Sequence, residues 1–216
     1  MAIGITITGT SGAVQIDELY KNLAVVASGS STTDSANIFG YSKDITLSSG
    51  TSPVIAIKCS SFHAVVGLAV SGASYTWTIV VDAPSGTSFD YWIFDVPSSS
   101  AATMGMRVWN ASETLVFDSG LKYLRVADLK TLSTASGSQA YTSGRTYAAI
   151  TATAGVVYNT YFEPSIPADV TDISAAMHKF STHTLSWQTN YGTTIIGIIP
   201  DSTDYGKLLI VDVTDF

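Results

Sequence analysis

Cysteine is almost absent: Cys59 stands alone, which excludes an intrachain disulfide framework and fits synthesis in a reducing cytoplasm. Basic residues are few, 10 Lys and Arg in 216 residues, and nowhere do they cluster. Neutralising a nucleic-acid backbone and binding an anionic membrane surface are therefore both unexpected. Glutamate is scarce as well, confined to Glu18, Glu113 and Glu163. The other acids are Asp, a turn former that is poor inside helices. Apolar runs such as Ala64–Val70 and Thr194–Pro200 are too short to span a bilayer. The opening Met-Ala-Ile-Gly lacks a basic segment followed by an apolar stretch, so no signal peptide is expected.

What remains is apolar and β-rich. Charged residues make up 12%, hydrophobic residues 46%, and the mean hydropathy is +0.29. A chain so poor in charge must hide its apolar surface internally or against neighbours. Strand-like runs recur at 3–8, 21–27, 44–47, 54–59, 62–70, 75–81, 90–96 and 104–110. They continue at 114–118, 123–129, 146–153, 156–162, 182–188, 193–199 and 207–213. These runs are rich in β-branched and aromatic residues and are punctuated by Gly, Ser, Asp and Pro. That pattern predicts an all-β, antiparallel sandwich, as one unit or as two packed β modules divided near 119–122 (1–120 and 121–216).

Several runs end in Asp before a turn: Asp82, Asp95, Asp118 and Asp212. Their carboxylates are expected to accept turn amides, an architectural role. One short helix is predicted over 172–180, with Asp172 as N-cap and Ile173, Ala176, Met177 and Phe180 on one face. Residues 16–23 show helical spacing but are read as a turn feeding a strand. The serine-rich stretches 28–35, 97–102 and 131–144 are expected to be exposed loops.

Catalytic motifs are missing: no nucleophile elbow, zincin helix, P-loop or dinucleotide fingerprint occurs. His63, His178 and His183 lack metal-ligand spacing, and Cys59 follows an apolar run, so all four are expected to be chemically idle. Asp90 and Asp95 lie five apart on one strand and face opposite sides, which rules out a glycosidase pair there. A weak calcium site from Asp169, Asp172, Asp201 and Asp204 lacks the density of an EF-hand loop. Trp77, Trp92, Trp109 and Trp187 each sit inside a strand run, favouring packing over sugar stacking. Asn110-Ala111-Ser112 is a glycosylation sequon by pattern alone.

One segment, "GMRVWNASETLVFDSGLKYLRV" (105–126), carries more. Gly105, Met106, Val108, Trp109, Ala111, Phe117, Asp118 and Ser119, then Lys122–Val126, resemble a segment common in tail-associated virion proteins of long-tailed bacteriophages. "YTSGRTYAAI" (141–150) and "VQIDELYKNLAVVASG" (14–29) are similar to two other elements of those proteins. The family usually has Gly in the turn where this chain has Glu113. Glycine there suits φ > 0, which costs another residue about 1–2 kcal/mol.

The resemblance implies a non-enzymatic structural protein without a cofactor, built into the tail of a virion at its tip or where fibres attach. It would be made in the host cytoplasm. Its expected partners are other tail proteins, copies of itself (three-fold symmetry favoured) and a host receptor or glycan. Met106, Val108, Trp109, Leu115, Phe117 and Asp118 are the structural hairpin, with Met106, Val108, Leu115 and Phe117 expected to face a core. The alternatives are a glycan- or receptor-binding module and a capsid decoration protein. An enzyme such as a depolymerase has no credible constellation.

Overall fold

Alternation sets the layers. In the run Val54–Lys58, Ile55 and Ile57 face one way and Ala56 the other, and all three are buried. A strand buried on both faces needs cover on both, and the rest of the chain supplies it. The computed structural model describes residues 7–8, 14–16, 22–97, 104–110, 112–113, 115–163, 165, 168–196 and 202–216.

The described residues form strands and turns and contain no helix. In order the strands are β1 (Ile7–Thr8), β2 (Val14–Ile16), β3 (Ala24–Thr32), β4 (Ser35–Asn37), β5 (Gly40–Leu47) and β6 (Val54–Lys58). Next come β7 (His63–Ser71), β8 (Ser74–Val81), β9 (Ser88–Asp95), β10 (Arg107–Trp109), β11 (Leu115–Asp118), β12 (Val126–Thr131) and β13 (Ser136–Ala140). The last are β14 (Tyr147–Thr153), β15 (Val156–Glu163), β16 (Ala168–Ser181), β17 (Thr184–Ile196), β18 (Ser202–Asp204) and β19 (Lys207–Asp212).

Two large antiparallel sheets pack together. One runs β12-β19-β14-β6-β9-β3, the other β13-β17-β16-β7-β8-β5-β4, with β15 and β18 beside β16. Each sheet is half early strands and half late ones, and each is joined at its middle by a single registered pair. The first seam is Ala149↔Ile57 and the second His178↔His63. Ile45, Ile55, Ile57, Trp77, Ile79 and Ile93 form the core between the early halves. Tyr147, Phe180, Leu185, Trp187 and Ile210 form the core between the late ones. The outer face of the six-stranded sheet holds Trp92, Phe94, Ile150 and Val211, packed with Leu124 and Phe216.

Three expectations need correction. Residues 172–180 are not a helix but the middle of β16, paired along its length with β17 and along its first half with β15. The apolar residues that suit a helical face also alternate, and two flanking ladders satisfy more backbone than an isolated two-turn helix does. The stretches 28–35 and 131–144 are not simply loops. Ser28–Thr32 completes β3 against β9, and Ser136–Ala140 is β13 against β17. Their Ser and Gly belong to edge strands, where large side chains have little to pack against. At Gly137 a Cβ would lie 2.3 Å from the Trp187 ring, so the small residue is what admits the tryptophan. Residues 98–102 and most of 16–23 lie outside the described residues.

Candidate functional site

The hairpin of β10 and β11 and the strand-like segment after it sit where the early strands end and the late ones begin. Arg107 pairs with Asp118, Val108 with Phe117 and Trp109 with Leu115, with a bulge between Val108 and Trp109. The bulge leaves Val116 without a registered partner, and burial alternates along each strand. Val108, Val116 and Asp118 are buried, Leu115 and Phe117 are half-buried, and Trp109 is exposed. Met106 does not face the core: it is 42% exposed, one residue before the ladder starts. Val116 takes the place in the interior that the alternation assigned to its neighbours.

Asp118 organises the site. Its side chain is 1% exposed, and its Oδ2 accepts from Arg107 Nε at 2.8 Å while Oδ1 accepts the Gly120 amide at 2.8 Å. Its own amide donates to the Tyr123 hydroxyl at 2.6 Å, and the Phe117 ring stacks on Tyr123 at 5.2 Å and 11°. A buried carboxylate held by charge-assisted bonds fixes the geometry of the turn that follows it. Ser119 ties the other end, its Oγ accepting the Met106 amide at 2.8 Å and its amide reaching the Met106 carbonyl at 2.9 Å. Gly105 has φ 143°, and a Cβ there would lie 2.4 Å from that Oγ. At the tip, Asn110 accepts the Ser112 amide at 3.0 Å, and Glu113 has φ 59°. The left-handed turn position expected at 113 is present, occupied by a glutamate.

The Lys122–Val126 segment then stitches the halves together. Val25 donates to the Lys122 carbonyl, Leu124 to the Leu23 carbonyl and Asp212 to the Arg125 carbonyl, each at 2.9 Å. The Arg125 guanidinium also bonds the Asp212 and Thr214 carbonyls and lies 4.5 Å from the Phe216 ring centroid. Asp212 is held by Arg145 as well. Burial acts to raise the Asp212 carboxyl, but the Thr214 hydroxyl and amide and the two guanidinium groups hold it below the usual carboxylate range.

Asp95 and Asp204 work similarly. Asp95 accepts the amides of Thr51, Ser52 and Val96 at 2.7, 3.0 and 2.7 Å. Asp204 accepts Gly206 at 2.8 Å. These acids are turn clamps.

Residues with chemical potential lie elsewhere. Cys59 is buried, its thiol donating to the Ser88 carbonyl at 3.4 Å, and burial pushes it above the ordinary thiol range. Trp77, Trp92 and Trp187 are buried, while Trp109 is 52% exposed. The His63 and His178 rings pack against each other at a tilt in the interior, a contact that their distance in sequence hides and that only the β7–β16 pairing reveals. Among the described residues no group of three or more His, Cys, Asp or Glu is placed to hold a metal ion. The side chains of Asp169 and Asp201 lie outside the described set.

Comparison with known proteins returned no match, whether against family models, curated proteins or solved structures.

Proposed function

We propose that the protein is a non-enzymatic structural component of a bacteriophage tail, placed at the tail tip or fibre attachment region. There it assembles with other tail proteins and with copies of itself, and contributes to host attachment. The observation that carries this reading is the arrangement around Asp118. The residues through which the chain resembles tail-associated virion proteins (Gly105, Phe117, Asp118, Ser119, Lys122, Tyr123 and Arg125) are the ones that lock the hairpin and stitch the halves. They support a scaffold rather than a reaction centre. The experiment is immunogold labelling of purified virions. Label at the distal tail supports the reading, label over the head lattice replaces it with capsid decoration, and unlabelled virions overturn it.

A second reading has one observation in its favour. Met104, Met106 and Trp109 are exposed on and beside the hairpin, an apolar and aromatic set suited to a glycan or receptor contact. Trp109→Ala in otherwise intact virions separates the two: lost adsorption with normal assembly favours recognition, and normal adsorption favours the scaffold.

A further inference from the structure

β7 has a ladder on one side only. From Gly67 to Ser71 it pairs with β8 residue for residue, ending at Ser71↔Ser74. Its other edge meets β16 at His63↔His178 alone, because the place beside β16 from Ala168 to Ala175 is taken by β15. Among the described residues, nothing pairs with the outer edge of β7 beyond the histidines.

That edge is apolar and unguarded. Val66, Leu68 and Val70 are 40%, 55% and 55% exposed, and Ala69 and Ser71 are exposed too. Monomeric β proteins protect such edges with lysine, proline, inward charge or a bulge. Between Phe62 and Val81 there is no Asp, Glu, Lys, Arg or Pro. The single bulge, between Val65 and Gly67, leaves Gly67–Ser71 regular. Two of the sheet-edge strands are built differently: β12 carries Asp128 and Lys130, and β13 is Ser-Gly-Ser-Gln-Ala.

The segment also fits its own reverse. Antiparallel to a copy of itself about Ala69, it sets Leu68 across from Val70, Gly67 across from Ser71 and Ala69 across from Ala69. Large side chains then share one face and small ones the other. No like charges meet there, although each copy carries a net charge of −7 that opposes approach elsewhere. An uncharged strand is where two such copies can touch.

We propose that β7 is a self-association edge, through which two copies of this chain join by antiparallel pairing of Gly67–Ser71, so that the β7-β8-β5-β4 halves of their larger sheets become continuous across a two-fold axis. The inference deepens the assembly reading and rests on its premise that the chain works as a multimer. It departs from the three-fold arrangement expected for tail tips.

The test uses the 216-residue chain with cysteines placed on β7, Cys59 being buried. Ala69→Cys forms a disulfide-linked dimer under mild oxidation. Leu68→Cys and Val70→Cys stay monomeric when denatured separately after oxidation, and their mixture crosslinks. Wild type sediments as a dimer, and Leu68→Lys as a monomer with an unchanged circular dichroism spectrum. Ala69→Cys that does not crosslink, or Leu68→Lys that sediments as wild type does, overturns the proposal. Virion labelling is scored apart from this. Tail-located protein whose association ignores Leu68→Lys sinks the edge pairing alone, and a β7-paired dimer absent from virions sinks the tail reading alone.

Discussion

His63 and His178 are the only registered pair between β7 and β16, their ring centroids 4.3 Å apart and their planes tilted by 56°. Both are buried, and neither Nε2 meets a hydrogen-bond partner. The seam of the larger sheet is thus closed by two neutral imidazoles.

Acid should weaken this protein earlier than its carboxylates alone would dictate. Burial holds His63 at about 4, and burial together with His63 holds His178 well below the ordinary histidine value. The unfolded chain takes up these protons as pH falls through about 6.5, while the folded chain resists. Stability is therefore full above that pH and declines from there towards pH 4, by about 3 kcal/mol for His63 alone. Urea midpoints measured from pH 8 to 4 should show the decline, and a His63→Phe, His178→Phe double variant should flatten it.

Asp118→Ala should cost about 2–4 kcal/mol, since it strips the Arg107 and Gly120 donors of a buried charged acceptor. Chemical denaturation measures the loss. A change under 1 kcal/mol would mean that the hairpin is held mainly by its ladder.

Phe117→Ala should cost about 1–2 kcal/mol, less than a fully buried aromatic, because the ring is half-buried and its chief partner is Tyr123. Glu113→Gly should add about 1 kcal/mol by relieving the left-handed backbone at the tip. Thermal melts of the two variants should move in opposite directions.

Gly137→Ala should destabilise by about 1–3 kcal/mol through overpacking against Trp187. The indole emission gives a second readout, because displacing β13 wets a tryptophan that is now buried.

Much of the sandwich is legible in the sequence. The runs at 54–59, 75–81 and 207–213 become β6, β8 and β19 because short apolar, β-branched runs bounded by turn residues leave little else for them to do. The Asp-ended turns are legible for the same reason, since one carboxylate supplies the acceptors that a turn needs. Residues 172–180 mislead because Ile173, Ala176, Met177 and Phe180 suit a helical face while Ile173, Ala175 and Met177 suit a strand. Only the ladders of β15 and β17 decide between them. Met106 is exposed because it lies one residue before the ladder begins, and Val116 is buried beside a bulge that leaves no mark in composition. The histidine pair is invisible for want of any local signal, as each ring's partner comes from the other half of the chain.

The two seams carry a mechanical consequence. Ala149↔Ile57 and His178↔His63 give each sheet one rung where its neighbouring ladders have many, and the Lys122–Val126 stitch bridges the gap from outside. A load that pulls the early strands away from the late ones falls on those rungs, on that stitch and on the bond from the Phe180 amide to the Cys59 carbonyl before it reaches any full ladder. The chain should yield first along this line, as two stiff plates on a shared hinge.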